Sequence, residues 1–210
     1  MRTLLPLYAD PAGDPGAWAS VAGLGSAVTA VVNPAGADPA GFSAGLDRLV
    51  RAGVALLGRV DLGRAARPLA EVLAEVRGWA VHPVGGVFLD RAPADPFGAG
   101  PVALALRLAR RAGLTAAVLN PGGPTDPLYR RLGARLCAFE GDWDAYIRWD
   151  GDGARPGDGH LVYGVPAPEV PRALRLASAR RAGFALVTER DGEHAYTGLP
   201  AWCAAAVARP

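Results

Sequence analysis

Eight strand-sized apolar runs recur along the chain, at residues 3–8, 27–32, 54–60, 84–89, 114–119, 135–139, 160–165 and 184–188. Helix-like stretches separate them, at 40–52, 67–79, 99–112, 168–182 and 200–208, with shorter candidates at 15–22, 126–132 and 142–147. Strand alternating with helix is the pattern of an α/β protein. The runs are continuously apolar instead of alternating, as expected for strands buried on both faces of a parallel sheet. Several helical stretches carry Pro at or near their first turn (Pro39, Pro68, Pro168, Pro200), where a missing N–H costs little. Gly53, Gly113 and Gly183 each follow a helical stretch and precede a strand, so they are expected as left-handed C′ residues.

Eight strand–helix pairs predict a compact, single-domain (β/α)8 TIM barrel over residues 1–210, close to the lower size limit of roughly 200 residues for that fold. Half of the residues are hydrophobic, enough for one sizeable core. An open doubly wound sheet would want a phosphate-binding glycine loop after the first strand. ADPAGDPG at 9–16 is not one, being broken by proline. The segment DGDGARPGDG at 150–159 is expected as a surface loop.

Composition narrows the chemistry. All 22 basic side chains are arginine, so Schiff-base lysine catalysis and the P-loop lysine are excluded. A net charge of +2 gives no reason to expect nucleic acid, and no apolar run is long enough to span a bilayer. Cys137 and Cys203 fit no metal or redox spacing and are expected as buried thiols. His82, His160 and His194 lie far apart, Asp150-x-Asp152 lacks the rest of a calcium loop, and no metal or cofactor is expected. The first residues lack a signal peptide's apolar region and cleavage site, which predicts a cytoplasmic protein unless a leader has been removed. Nothing in the sequence sets an oligomeric state.

In such barrels the reacting groups project from the C-terminal ends of the strands. The polar residues closing the runs are Asp10, Asn33, Asp61, Asp90, Asn120, Glu140 and Thr188 with Glu189; strand 7 has Tyr163 as its nearest polar group. Asn and Asp are also the usual turn and cap formers, so Asp10 and Asp61 fit a structural role, and Asn33 and Asn120 fit either. Asp90 and Glu140 stand apart because VFLD and CAFE place a carboxylate directly at the end of a buried strand. Two carboxylates on one cleft are the minimum apparatus of a glycosidase. Tyr8 closes strand 1 and is a candidate sugar contact. Trp143, three residues past Glu140, is either a stacking platform or a packing residue.

The order of motifs resembles the spherulin-4 (spherulation-specific) family over nearly the whole chain. The matching stretches are LLPLYADP at 4–11, VVNPAGADPAGF at 31–42, AGVALLGRV at 52–60 and VGGVFLD at 84–90. LNPGG at 119–123, FEGDWDAY at 139–146, VYGVP at 162–166, LVTER at 186–190 and GLPAW at 198–202 follow in the same order. The resemblance implies a glycoside hydrolase-like barrel acting on polysaccharide, with endo-cleavage of α-1,4-linked galactosamine-rich glycan as its implied activity. It implies Asp90 and Glu140 as the catalytic pair; Tyr8, Asn33, Asp61, Asn120 and Trp143 are the candidates from the strand ends and their neighbours to contact the sugar. The chain departs from the family at Arg91, where a Glu is usual, and in GRVDLGRAARP at 58–68, where an aromatic is favoured after the Gly. A guanidinium reaching either carboxylate would favour its ionised form and weaken proton donation. On strand alternation alone, Arg91 points outward. The competing expectation is a non-catalytic carbohydrate-binding barrel with a degenerate site.

Overall fold

The computed structural model describes residues 1–34, 36–192, 195, 196 and 198–203. Eight parallel strands close in chain order into a barrel: β1 Arg2–Leu7, β2 Val28–Val32, β3 Ala55–Asp61, β4 Gly86–Asp90, β5 Ala116–Leu119, β6 Arg135–Asp142, β7 Gly159–Tyr163 and β8 Phe184–Val187. The ring shuts where Arg2 and Thr3 pair with Phe184 and Ala185. Helices α1 Pro15–Leu24, α2 Pro39–Arg51, α3 Leu69–Gly78, α4 Ala99–Arg111, α5 Trp143–Arg148 and α6 Val170–Ala179 pack outside it. No helix among the described residues is long and apolar enough to cross a membrane.

Local chemistry sets where several helices begin. Asp14 and Asp38 accept the free amides of Ala17 and Gly41, and a proline opens α1 and α2. Each such cap stabilises its helix by about 1 kcal/mol. Asp142 closes β6 and caps α5 through the Ala145 amide at 2.6 Å, so DWDAY turns the chain immediately past Glu140. Leu46, Leu49, Val72, Val76, Leu106 and Ala109 bury the inner faces of α2, α3 and α4.

Three expectations need correction. The stretch 126–132 makes only a 3-10 turn over Pro127–Arg131, so β5 and β6 are joined without an α-helix there. The stretch 150–159 is not wholly a surface loop: Asp158 is buried, pairs with Arg130 at 2.6 Å and accepts the Arg155 amide. Gly53 and Gly113 are left-handed, at φ 83° and 84°, but Gly183 is not; Arg181 takes that conformation at φ 60°. Gly183 is needed for close approach instead, since a Cβ there would lie 2.3 Å from the Gly157 carbonyl oxygen. Cys137 and Cys203 are buried free thiols. Of the stretch 200–208, residues 201–203 are helical and the remainder lies outside the described residues, as does His194.

Candidate active site

The inner surface of the barrel follows from register. Pro6 pairs with Val31, Val31 with Leu57, Phe88 with Val118 and Arg59 with Phe88, so these rows share one face. Leu4, Pro6, Val31, Phe88 and Leu161 fill the middle of the ring. Above them a hollow of about 10 Å³ is bounded by Tyr8, Asp90, Asn120 and Tyr196. The interior is therefore closed just beneath the acidic groups, and a ligand must meet them from the C-terminal rim. A far larger hollow, about 920 Å³, opens at the opposite end among Arg2, Thr29, Leu57 and Arg135. Among the described residues it is lined by no carboxylate, and that rim of such barrels serves stability, so size does not mark the site here.

A bulge in β6 aims Glu140. Cys137 pairs with Gly159, yet Phe139 pairs with the next residue, His160, leaving Ala138 as the extra residue. Simple alternation from Cys137 would put Phe139 inside and Glu140 outside. The bulge reverses that: Phe139 packs on Tyr146 and Trp149, 4.8 and 5.0 Å between ring centroids, and Glu140 turns inward.

Asn120 joins the two acids. Its Nδ2 donates to Asp90 Oδ1 at 3.1 Å and to Glu140 Oε2 at 2.9 Å. Asn120 is only 3% exposed, and among the described residues its Oδ1 has no hydrogen-bond partner. The other Glu140 oxygen accepts the Tyr196 hydroxyl. Burial first, then the Glu140 charge, push the Tyr196 hydroxyl far up, so it stays protonated and donates. Burial and then the Asp90 charge do the same to Tyr8. Beneath the site, burial and the two carboxylates hold the Cys137 thiol well above its ordinary value, leaving it inert.

On the other side of Asp90 lies a ladder of alternating charge. Arg59 binds Asp90 Oδ2 through Nε at 2.9 Å and Nη2 at 2.8 Å, and its guanidinium lies 5.5 Å from the centre of the Tyr8 ring. Asp61 stands next, 3.7 Å from Arg59 and clamped by both arms of Arg91, with Nε at 2.8 Å. Burial by itself would raise the Asp61 carboxyl, but hydrogen bonds from Arg91 and Gly63 and the nearby Arg59 charge outweigh it and hold it low. Arg91 thus does neither thing expected of it. It lies past the end of β4 in left-handed backbone, φ 47°, and folds back over Asp61 instead of pointing outward or reaching Asp90 with its guanidinium. Its backbone N–H still donates to Asp90 Oδ1. Among the described residues it is Asn120, not a guanidinium, that bridges Asp90 and Glu140.

Tyr8, Asp61, Asp90, Asn120 and Glu140 are therefore brought together at the mouth. Asn33 borders a separate hollow with Glu75, Trp79 and His82. Trp143 is buried at 5% exposure among Tyr146, Val162 and Ala173, and the Arg172 guanidinium lies 5.7 Å from its ring centre. Sequence reasoning missed Tyr196, which lies beyond β8 where no strand end or motif marks it; Arg59, flagged as the departure after the Gly, does reach a carboxylate, Asp90. His82 stacks edge-on with Phe42 and Trp79, and His160 is buried against Tyr146.

A closed ring of eight parallel strands with helices packed outside it is a (β/α)8 barrel, here with two carboxylates at the carboxyl ends of its strands. Within that class, residues 2–208 match spherulation-specific family 4, and the chain belongs to that family. It is 29% identical over 154 residues to spherulin-4 of Physarum polycephalum, a match covering 67% of this chain and 45% of that protein. The chain thus spans about half the length of this curated relative. Aspergillus clavatus Sph3, solved in complex with GalNAc, superposes with a TM-score of 0.81 at 23% identity, over 98% of this chain and 95% of that one.

Proposed function

We propose that this protein is a glycoside hydrolase acting on polysaccharide, with Asp90 and Glu140 as its carboxylate pair and Tyr8, Asn120 and Asp61 around the sugar. The observation that carries it is the single amide of Asn120 serving both acids. The two N–H bonds of one amide open at roughly 120°, so the oxygens they serve lie roughly 5 Å apart, the spacing of a retaining pair. The roles divide by surroundings. Asp90 faces a cation, Arg59, which suits a group that must carry negative charge at the reacting carbon. Glu140 accepts hydrogen bonds from the neutral donors Asn120 and Tyr196, which suits the proton carrier. The family resemblance and the GalNAc-bound Sph3 neighbour make α-1,4-linked galactosamine-containing glycan the first substrate to offer, with endo-cleavage as the expected mode.

The assay is release of oligosaccharide from such glycans by the wild type and by Glu140→Gln and Asp90→Asn. Each substitution is expected to cost at least about 10³ in turnover, the scale of losing a group that moves a proton or stabilises developing charge. Turnover that survives both removes these residues from the mechanism. One observation favours a second reading, a barrel that binds carbohydrate without cutting it: Arg59 grips Asp90 with two nitrogens, and every Asp90 oxygen already has a partner. Calorimetric binding of glycan with no hydrolysis at any pH would decide for that reading.

A further inference from the structure

The chain's net charge of +2 is unevenly spread. The carboxyl rim carries the acids of the site, Asp61, Asp90 and Glu140, and the helix caps Asp14, Asp38 and Asp142. The opposite end, where helices finish and strands begin, carries arginine. Arg51, Arg77 and Arg111 stand in the last turns of α2, α3 and α4, Arg181 follows α6, and Arg2 and Arg135 open β1 and β6. All six are exposed, and among the described residues none is in an ion pair. The acids toward this end are Asp47, Glu75, Asp150, Asp152 and Asp158, of which Arg67 already pairs with Glu75 and Arg130 with Asp158.

Helix dipoles favour a cation in a helix's last turn, which accounts for Arg51, Arg77 and Arg111. They do not account for Arg2 and Arg135, nor for what lies among the arginines. Val50, in the last turn of α2, and Val81, between α3 and β4, are 44% and 84% exposed. At the centre of this end, the hollow of about 920 Å³ is walled by Leu4, Val54, Leu56, Leu57 and Phe184, with Val50, Arg2 and Arg135 also bordering it. Cations ringing an apolar surface match a ligand that is anionic in one layer and apolar in the next. A soluble polyanion would use the arginines alone and leave the valines and the hollow in water.

We propose that this end of the barrel docks on an anionic lipid bilayer, the arginines meeting headgroup phosphates and Val50 and Val81 entering the layer beneath them. The carboxylate mouth, at the other end of the same strands, then faces away from the lipid. No helix need cross the bilayer for this, since contact is by surface charge and shallow apolar insertion. The inference goes beyond the hydrolase reading and holds whether or not the mouth cuts a glycan.

The experiment floats the whole protein with vesicles of phosphatidylcholine alone and with vesicles holding an equal share of phosphatidylglycerol, and reads the bound fraction. Binding to the anionic vesicles only is expected, weakening steeply as salt rises. Arg77→Gln, Arg111→Gln and Arg135→Gln together are expected to lower that affinity roughly a hundredfold, at about fivefold for each charge near the surface. Val81→Ser, with every charge kept, is expected to lower it about fivefold, the scale of one valine left outside the apolar layer. Arg172→Gln removes the same charge at the carboxyl rim, from the first turn of α6, and is expected to change nothing, whereas Arg111→Gln alone costs about fivefold. Thermal melts matching the wild type keep the comparison to folded protein. No binding to anionic vesicles, equal binding to neutral ones, or equal losses in Arg111→Gln and Arg172→Gln overturns the proposal. So does full affinity in the triple variant or in Val81→Ser; in the latter case a short DNA duplex bound as tightly as the vesicles would make the partner a soluble polyanion.

Discussion

Arg91 donates two hydrogen bonds to Asp61 at the rim of the barrel, and the pair has a consequence for acid stability that can be signed. The Asp61 carboxyl is held below its ordinary value, burial being outweighed by Arg91, Gly63 and Arg59. A group lowered in the folded state adds stability above its unfolded value, roughly 4 for Asp, and loses it as pH falls through the folded value. Arg91 is more than half exposed, so solvent screens the pair and the effect is modest. Arg91→Ala is expected to move the acid-unfolding midpoint up by a few tenths of a pH unit while leaving stability near neutrality almost unchanged. Far-UV circular dichroism across an acid titration reads this, and a midpoint unmoved or lowered would mean that Asp61 owes its low value to Gly63 and Arg59 alone.

Among the elements, the glycines that precede the strands do two different jobs. Gly53 needs only its positive φ, and the nearest atom to an added Cβ there lies 3.8 Å away. Gly183 has ordinary backbone but would drive a Cβ into the Gly157 carbonyl, in the loop that the Gly157 amide, donating to Arg181, and the Asp158 carbonyl, accepting from Gly183, hold against the start of β8. Gly53→Ala is expected to cost about 1–2 kcal/mol, the penalty of left-handed backbone. Gly183→Ala is expected to cost roughly 2–4 kcal/mol, because backbone must move to relieve the clash. Urea unfolding of the two variants tests the ranking, which equal losses would refute. The same distinction between pattern and contact explains β6. Its apolar run and the Glu140 that follows it are written in the sequence, but the extra residue Ala138 is not, because a bulge depends on how the neighbouring strand's amides line up.

For the molecule as a whole, the pH dependence of stability should have one strong internal source. His160 is fully buried, its Nδ1 meets the Tyr146 hydroxyl at 2.7 Å, and among the described residues its Nε2 has no hydrogen-bond partner. Burial first, and then the Arg180 charge, push the imidazole down to about 4. The unfolded chain takes up that proton near pH 6.5 and the folded one does not, so stability falls between about 6.5 and about 4 and levels off below. The loss is at most about 3 kcal/mol. His160→Gln, which can still meet the tyrosine, is expected to flatten this part of the profile in denaturant titrations at pH 7, 5.5 and 4. An unchanged slope would assign it to other groups.

The barrel itself was legible from the chain, because burying a strand on both faces leaves a continuous apolar run and each crossover helix leaves a 3.6-residue stripe. Asp90 and Glu140 were legible because polar side chains at the ends of such runs stand at one rim. What only the tertiary structure decided is which of those groups meet. Asn120 bridges the pair, Tyr196 arrives from beyond the last strand, Asn33 borders another hollow, and Trp143 is buried in packing. Arg91 turns back onto Asp61 through a left-handed residue that no periodicity encodes. Periodicity reports which side of its own element a residue faces; distances across a closed ring depend on register, bulges and loop backbone, and these are set by contacts between parts of the chain far apart in sequence.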